Sequence, residues 1–550
     1  FDGVIRQGNA GYGGSGTAPD IGADEMNGPV VVVTNFNLTT PALAPTYTSL
    51  ANAITALNAI SSMVNGTVTI TLMPGNSQTA PVGGYSINFP TATTSLRTIV
   101  ISGSNNVITT NSQLVAGSLT DAVFKIVGSN FVTIQNFIMR ENSLNSTTDA
   151  ATNDMTEWGV ALLYISATNG AQRNTIQNNT ISLNRDYSNS FGIYSNARHT
   201  ATNVSVIADA SNTTGANSNN SVYSNIISNV NVGIAFIGSG NAAAMDVGND
   251  IGGASAATAN SMSNMGGQPA ASSFVSNAEG WYAIFMNHQK GENVSFNNIV
   301  SGALTGPTAV NARGIYKAYT ATTPTGTFTS SINNNTVTLE HAFFQTSILI
   351  GICNEGIVAA SGNATININN NNLLNFSVIT GGTDIVGISN SAEPIVLNIN
   401  NNIFRGNFSG ASAGGFTGIL NTGTISSTLN INNNKLGDVS GNAFTFSGAT
   451  SGAIKGISCP VTGDDLLLSI SGNNFQGFVQ NTTGSGNHNY ISYVHAPNFA
   501  TTVNVNSNTF TNLTANTTGS VIFISRSGVM ALNAGVTENC SNNSIVTGFT

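Results

Sequence analysis

A short asparagine-rich motif recurs along most of the 550-residue chain, and this repeat constrains the fold more than any other feature. Each copy has an alternating apolar segment, then two or three Asn residues, then another apolar residue, as in Ile332–Val337 and Ile431–Leu436. Twelve steps lead from Asn106 to Asn543, so the period is about 36 residues. A repeat of this length is typical of a solenoid, in which each copy stacks on the next.

A second marker lies between the Asn turns, where a glycine is followed by an apolar strand. It occurs at Gly192, Gly233, Gly314, Gly351, Gly387, Gly418 and Gly456. Each repeat therefore carries at least two short strands with period-2 alternation, separated by turns. This pattern predicts an all-β fold, a parallel β-helix of about 13 coils, and a rod roughly 58 Å long at the usual strand spacing. The handedness of parallel crossovers predicts a right-handed helix.

Asparagine suits the corner of such a coil for two reasons. It tolerates the left-handed backbone conformation, and its amide both donates to turn carbonyls and bonds to the Asn of the next coil. The predicted ladder consists of Asn136, Asn179, Asn225, Asn298, Asn335, Asn372, Asn402, Asn434, Asn473, Asn508 and Asn543.

The N-terminal part departs from the repeat. Leu50, Ile54 and Leu57 have helical spacing, which predicts one capping helix within Tyr47–Ser62. The β-helix then starts near the strand Thr67–Met73. The predicted organisation is a tail of a preceding module (1–28), the cap and first strands (29–75), and the β-helix proper (76–550).

The composition narrows the range of possible partners and functions. Charged residues make up 7% of the chain, and the net charge of -9 with a pI near 4.9 argues against nucleic acid as a partner. No apolar run reaches the ~18 residues of a membrane helix, so no membrane insertion is expected. Cys353, Cys459 and Cys540 lack the spacing of metal ligands and are expected to be buried free thiols. Asp246–Asp250 is interpreted as a Gly/Asn loop, so neither a metal nor a cofactor is predicted.

The densest cluster of charged residues runs from Arg140 to His199. Arg140-Glu141 and Arg185-Asp186 follow successive Asn turns and are expected on adjacent coils. One interpretation is the groove of a polysaccharide lyase or glycoside hydrolase, which needs paired carboxylates. The favoured interpretation is a surface ladder of ion pairs, because no carboxylate set recurs on one strand.

Outward-pointing aromatic residues suggest a different kind of site. Tyr194, Phe285 and Tyr316 follow inward Ile residues, so they are expected on the outer face, and Tyr490 marks a second spot. Exposed rings of this kind bind sugars by stacking. The favoured interpretation is that a long loop, such as Ala242–Asn277, covers them.

The coils resemble the parallel β-helix repeats of pectate lyases and many surface adhesins. Gly11–Glu25, which ends Ala18-Pro19-Asp20-Ile21-Gly22-Ala23-Asp24-Glu25, is similar to the segment that closes β-helix modules in large Bacteroidota surface proteins. That resemblance implies a gliding-type adhesin exported by the type IX secretion system, located extracellularly on the cell surface. It also implies neighbouring modules, other surface proteins or surface glycans as partners. We therefore expect a structural or adhesive stalk without catalysis.

Overall fold

The structure is a computed structural model of the chain. It describes residues 28–89, 93–112, 117–149, 152–202, 205–266, 281–302, 312–320, 322–341, 348–356, 364–378, 384–408, 414–437, 444–461, 467–495, 501–528 and 535–549. The predicted N-terminal tail lies outside these residues, apart from Gly28.

A helix caps the first coil, as predicted. It spans Leu50–Asn58, and its first turn is closed by the Ser49 hydroxyl, which accepts a hydrogen bond from the Asn52 N–H at 3.1 Å. Its buried face, which includes Ile54 and Leu57, belongs to the same apolar core as the coils. The first long strand is Gly66–Leu72, close to the predicted start of the β-helix.

Three parallel sheets run along the coils, and we call them sheets I, II and III. Sheet I leads into the Asn turn and has 16 strands, of which the first two pair antiparallel. Its strands are Val31–Thr34, Thr46–Tyr47, Gly66–Leu72, Arg97–Ser102, Val132–Gln135, Thr175–Gln177, Ser221–Tyr223, Asp250–Ile251, Asn293–Ser295, Phe328–Asn333, Ala364–Asn367, Val396–Asn400, Thr428–Asn432, Leu467–Ser471, Thr502–Asn504 and Thr537–Asn539.

Sheet II follows the Asn turn. Its strands are Gln78–Thr79, Val107–Thr109, Ile138–Arg140, Thr180–Ser182, Ile226–Ser228, Ser261–Ser263, Asn298–Val300, Thr336–Thr338, Glu340–His341, Asn372–Val378, Ile403–Phe408, Lys435–Leu436, Phe444–Phe446, Asn474–Gln476, Phe478–Gly484, Thr509–Thr517 and Ser544–Phe549.

Sheet III completes each coil and has 13 strands. They are Tyr85–Ile87, Ala122–Val127, Trp158–Leu163, Phe191–Asn196, Val232–Ile237, Trp281–Asn287, Ala312–Ala318, Ile348–Asn354, Asp384–Asn390, Phe416–Asn421, Ile454–Cys459, His488–Val494 and Val521–Ser527. The remaining elements are the strand pairs Thr39–Thr40 with Ser62–Met63 and Asp246–Val247 with Gln289–Lys290, and the 3-10 turns Phe36–Leu38, Ile207–Asp209 and Ala256–Thr258.

The core is a set of apolar rows that run along the axis. In sheet I, Ile399, Ile431 and Ile470 pair on successive coils, and all are fully buried. The glycine marker has a steric cause, because a Cβ atom built on Gly387 lies 2.5 Å from the carbonyl oxygen of Gly418 on the next coil. Only a residue without a side chain fits such a backbone approach. The repeat therefore forms one continuous core, and the predicted parallel β-helix is confirmed.

Most Asn turns use two adjacent residues in different roles. The first adopts a left-handed conformation, and the side-chain amide of the second points into the corner. At the turn of Asn260 the first residue, Ala259, has φ of -57° instead. The residues with positive φ at this turn are Asn105, Asn136, Asn178, Ser224, Phe296, Asn334, Asn370, Asn401, Asn433, Gly472, Ser507 and Asn542.

The second residue of each turn builds the ladder, in which each side-chain amide donates to the Asn oxygen of the next coil at 2.9–3.1 Å. The rungs are Asn179, Asn225, Asn260, Asn297, Asn335, Asn371, Asn402, Asn434, Asn473, Asn508 and Asn543.

Three positions of the predicted ladder need correction. Asn298 and Asn372 begin sheet II strands, and the preceding residues Asn297 and Asn371 form the rungs. Asn136 takes the left-handed role, and the backbone N–H of Phe137 donates to the Asn179 oxygen at 3.1 Å.

Candidate functional site

The charged region predicted from the sequence lies where sheet II turns into sheet III. Ala122, Trp158 and Phe191 pair across three successive coils of sheet III. Asp121 and Glu157 immediately precede two of these strands, so their backbones stack on adjacent coils. Together with Glu141, which follows the strand Ile138–Arg140, they form what we call the carboxylate corner.

Glu157 is the most enclosed member of the carboxylate corner, with 0% of its surface exposed. Its Oε1 accepts a hydrogen bond from the Tyr187 hydroxyl at 2.5 Å, and its Oε2 accepts one from the Asp121 N–H at 2.7 Å. Burial raises the pKa of the Glu157 carboxyl well above its usual value, because desolvation penalises the charged form. The neutral acid is thereby favoured in the folded chain.

Glu141 is half-buried and organises the loop that follows it. Its Oε1 accepts from the Thr110 hydroxyl of the preceding coil at 2.6 Å and from Asn145 Nδ2 at 2.8 Å. Its Oε2 accepts from the Thr156 N–H at 2.9 Å. The carboxylate thus fixes the two ends of the loop against the neighbouring coil.

Asp121 is 4% exposed, and its Oδ2 lacks a hydrogen-bond partner. Burial raises its pKa, while the charge of Lys125 opposes that shift. The Lys125 ammonium lies 5.9 Å from the ring centroid of Trp158, which stacks on Tyr194 at 4.9 Å. The carboxylate corner therefore borders an aromatic cluster on the outer face of sheet III.

General acid–base chemistry requires a group that reaches the substrate. In this structure Glu157 and Asp121 are enclosed, and Glu141 is occupied by the hydrogen bonds of its loop. The contacts of the carboxylate corner are therefore those of a buried polar network, in which hydrogen bonds join neighbouring coils.

The other charged residues of the predicted groove do not converge on the carboxylate corner. Arg140 is exposed, and Arg185 donates through Nε to the carbonyl oxygen of Gly266 at 2.7 Å, two coils away. Asp186 is exposed. Arg198 pairs with Asp209 at 2.8 Å, and the exposed His199 ring contacts the carbonyl of Tyr164.

The predicted sugar-binding aromatics are covered. Tyr194, Phe285 and Tyr316 belong to a second apolar cluster on the outer face of sheet III, and all are buried. The Tyr194 hydroxyl donates to the Thr200 carbonyl at 2.6 Å, so the loop after its strand folds over it. Residues 267–277 of the loop proposed as a cover lie outside the described residues.

Tyr316 forms part of a charged cluster as well. Its hydroxyl donates to Glu355 Oε2 at 2.9 Å, and the guanidinium of Arg313 lies 5.1 Å from its ring centroid. Arg313 also pairs with Glu355 at 3.3 Å. These contacts occupy the edge and the face that a sugar would need.

Tyr490 points into the β-helix instead of away from it. It is fully buried, and its ring packs against Phe475, Phe478 and Phe510. His488, two residues earlier, also points inward, and burial lowers its pKa to about 4. Tyr490 is therefore a core residue, and its assignment as a glycan contact is corrected.

A buried charged network between sheets III and I was not predicted from the sequence. Lys317 lies in the strand Ala312–Ala318, and its Nζ is 2.6 Å from Oε1 of Glu292. Asp246 is also fully enclosed: it accepts a hydrogen bond from Gln289 Nε2 at 3.0 Å, and desolvation raises its pKa to about 7. The signal for this network in the sequence was Lys317, a lysine among the apolar residues of a sheet III strand.

The described ranges contain neither a candidate membrane helix nor a candidate metal cluster. None of their helices has the length and apolar character that a membrane span needs. No three His, Cys, Asp or Glu side chains among them are grouped so as to hold a metal ion.

The fold places the chain in the class of parallel β-helix proteins. No protein-family model and no curated protein matches it. Among solved structures, it is similar to a point mutant of the periplasmic alginate epimerase AlgG, with 11% sequence identity and a TM-score of 0.26 over 91% of this chain and 93% of that one.

Proposed function

We propose that this chain is a structural segment of an adhesive stalk on the cell surface, and that it performs no catalysis. The observation that carries the proposal is the unbroken Asn ladder from Asn179 to Asn543, in which each coil repeats the same buried hydrogen bonds. Such a rod gains stiffness from stacking, because every interior coil is paired on both sides. The burial of the predicted aromatic residues and of Glu157 also supports this function.

The proposal extends to the setting of the chain. The resemblance of Gly11–Glu25 to a module-closing segment supports an extracellular protein of several modules, with type IX secretion as its export route. Its partners are then neighbouring modules, other surface proteins or surface glycans. Within this arrangement, residues 1–28 end a preceding module, 29–75 form the cap, and 76–550 form the rod.

The first test is the mass of the native polypeptide that carries this sequence, by denaturing gel and peptide mapping of secreted and surface material. We expect a chain much larger than 56.3 kDa, with peptides on both sides of Phe1 and Thr550. A mature chain near 56.3 kDa would remove the support for a stalk of several modules.

A carbohydrate-active enzyme is the competing class, with Arg140–His199 as its groove. A panel of acidic polysaccharides incubated with the chain separates the two. The stalk proposal expects no cleavage. Cleavage that disappears in Arg185→Ala or Asp186→Ala would instead assign an active site to that region.

A further inference from the structure

Lys317 and Glu292 form the most deeply buried pair of opposite charges in the described part of the chain. Each side chain is 1% exposed. Lys317 lies on the sheet III strand Ala312–Ala318, and Glu292 immediately precedes Asn293–Ser295, the sheet I strand that begins the same coil. A bond between them would therefore close this coil.

The two groups are in direct contact. Nζ of Lys317 is 2.6 Å from Oε1 of Glu292. The other carboxylate oxygen, Oε2, accepts a hydrogen bond from the Ser330 hydroxyl at 2.7 Å. The amine and the carboxyl group are thus held in direct contact inside the packed β-helix.

The surroundings disfavour the charged form of the amine. Water is excluded, and an ion pair in a medium of low dielectric constant pays a large desolvation penalty. Burial lowers the pKa of the Lys317 ammonium, although the charge of Glu292 opposes the shift. Transfer of one proton from the ammonium to the carboxylate gives a neutral amine and a carboxylic acid, the forms that combine to make an amide.

Two hydroxyl groups are placed to move protons. The Tyr319 hydroxyl is 2.7 Å from Nζ of Lys317, and the Ser330 hydroxyl contacts Oε2 of Glu292. Nζ also donates to the Gln289 carbonyl oxygen at 3.2 Å, which holds the amine in place beside the carboxyl group.

From this geometry we propose that Lys317 and Glu292 condense to an intramolecular amide, a covalent crosslink that closes one coil. The bond from Nζ to Cδ of Glu292 forms, and the bond from Cδ to Oε2 breaks. The ammonium gives up two protons and keeps one, and the two protons leave with Oε2 as water. No oxidant, reductant or cofactor is needed, because no atom changes its oxidation state.

The test is the mass of the purified full chain, measured under denaturing conditions after folding and incubation. We expect a mass lower than that of the sequence by one water molecule. Trypsin should fail to cut after Lys317, because an acylated lysine is not a substrate. The digest should then contain Gly291–Arg313 joined through an amide to Gly314–Arg405.

Controls assign the missing water to this pair. Lys317→Met should restore the full mass, whereas Lys290→Met, at a half-buried lysine of the same corner, should leave the crosslink intact. Wild-type chain at its full sequence mass, cut normally after Lys317, would overturn the proposal. A water loss that maps to another peptide would also overturn it. None of these readouts depends on the proposed stalk function.

Discussion

The oxygen of the Asn434 side chain accepts two hydrogen bonds from one residue, Asn402 on the preceding coil. The Asn402 backbone N–H donates to it at 2.9 Å, and the Asn402 side-chain amide donates at 3.0 Å. Asn434 in turn donates to the Ile399 carbonyl at 2.8 Å. Its amide also donates to the Asn473 oxygen of the next coil at 3.0 Å, so one buried amide contacts the coil on each side and each rung depends on its neighbours.

Removal of a rung should be costly. Asn434→Ala leaves the Asn402 N–H and the Ile399 carbonyl buried without partners, and each unsatisfied group costs about 1–3 kcal/mol. We expect the free energy of unfolding, measured in urea, to fall by several times the effect of Asn430→Ala. Asn430 is the matched control, because it lies on the same sheet I strand and faces outward. Equal losses in the two variants would contradict the central role of the ladder.

The left-handed backbone of Asn433, the residue before the rung Asn434, allows a separate prediction. Asn433 has φ of 56°, a region that costs a residue with a β-branched side chain about 1–2 kcal/mol. Asn433→Val should therefore lower the free energy of unfolding, whereas Asn433→Gly should leave it nearly unchanged. Thermal denaturation of the two variants distinguishes them. A neutral Asn433→Val would show that the turn does not require this conformation.

Stability should depend on pH through Glu157. Its folded-state pKa lies above the ordinary value of 4.5, so it contributes stability below that pH and loses the contribution as the pH rises through the raised pKa. Urea denaturation of the wild-type chain should show stability falling above pH 4.5. Glu157→Gln, which stays neutral, should flatten this slope, and Asp186→Asn at an exposed carboxylate should not. An unchanged slope in Glu157→Gln would exclude Glu157 as its source.

The three thiols should differ sharply in reactivity. Cys353 and Cys459 are buried, and burial raises the pKa of Cys459 to about 12, whereas Cys540 is exposed, contrary to the sequence-based expectation. A maleimide reagent should label the native chain only at Cys540, and denaturant should expose all three sites. Cys540→Ser should abolish native labelling. Modification of Cys459 in the folded chain would mean that its coil opens.

The fold was predictable from the sequence because the residues that determine it recur at a regular spacing. A row of Ile residues or Asn turns at a constant spacing has one arrangement that buries all of them, so strand order and coil length follow directly. The rung itself was harder to place. In runs such as Asn369-Asn370-Asn371-Asn372, several residues have the same chemistry, and only the backbone conformation separates the left-handed position from the rung.

The candidate sites were less predictable because the burial of a side chain on the outer face depends on segments that are far away in the sequence. The alternation in sequence correctly directs Tyr316 away from the core, but it carries no information about Arg313 and Glu355, which enclose the ring. Lys317 and Glu292 meet only because the coil brings the chain back to the corner where Glu292 lies. Such contacts depend on the geometry of the coils, which a single repeat does not encode.

The Asn ladder also bears on how a chain of this kind changes length in evolution. Adjacent rungs such as Asn371, Asn402 and Asn434 are 31 and 32 residues apart, and each offers the same donor and acceptor to its neighbours. Duplication or loss of one whole interval would make two equivalent rungs neighbours. All the hydrogen bonds of the ladder would then form again. Genes for such rods can therefore lengthen or shorten by whole coils, whereas the insertion of a few residues is tolerated only in the loops between the sheets.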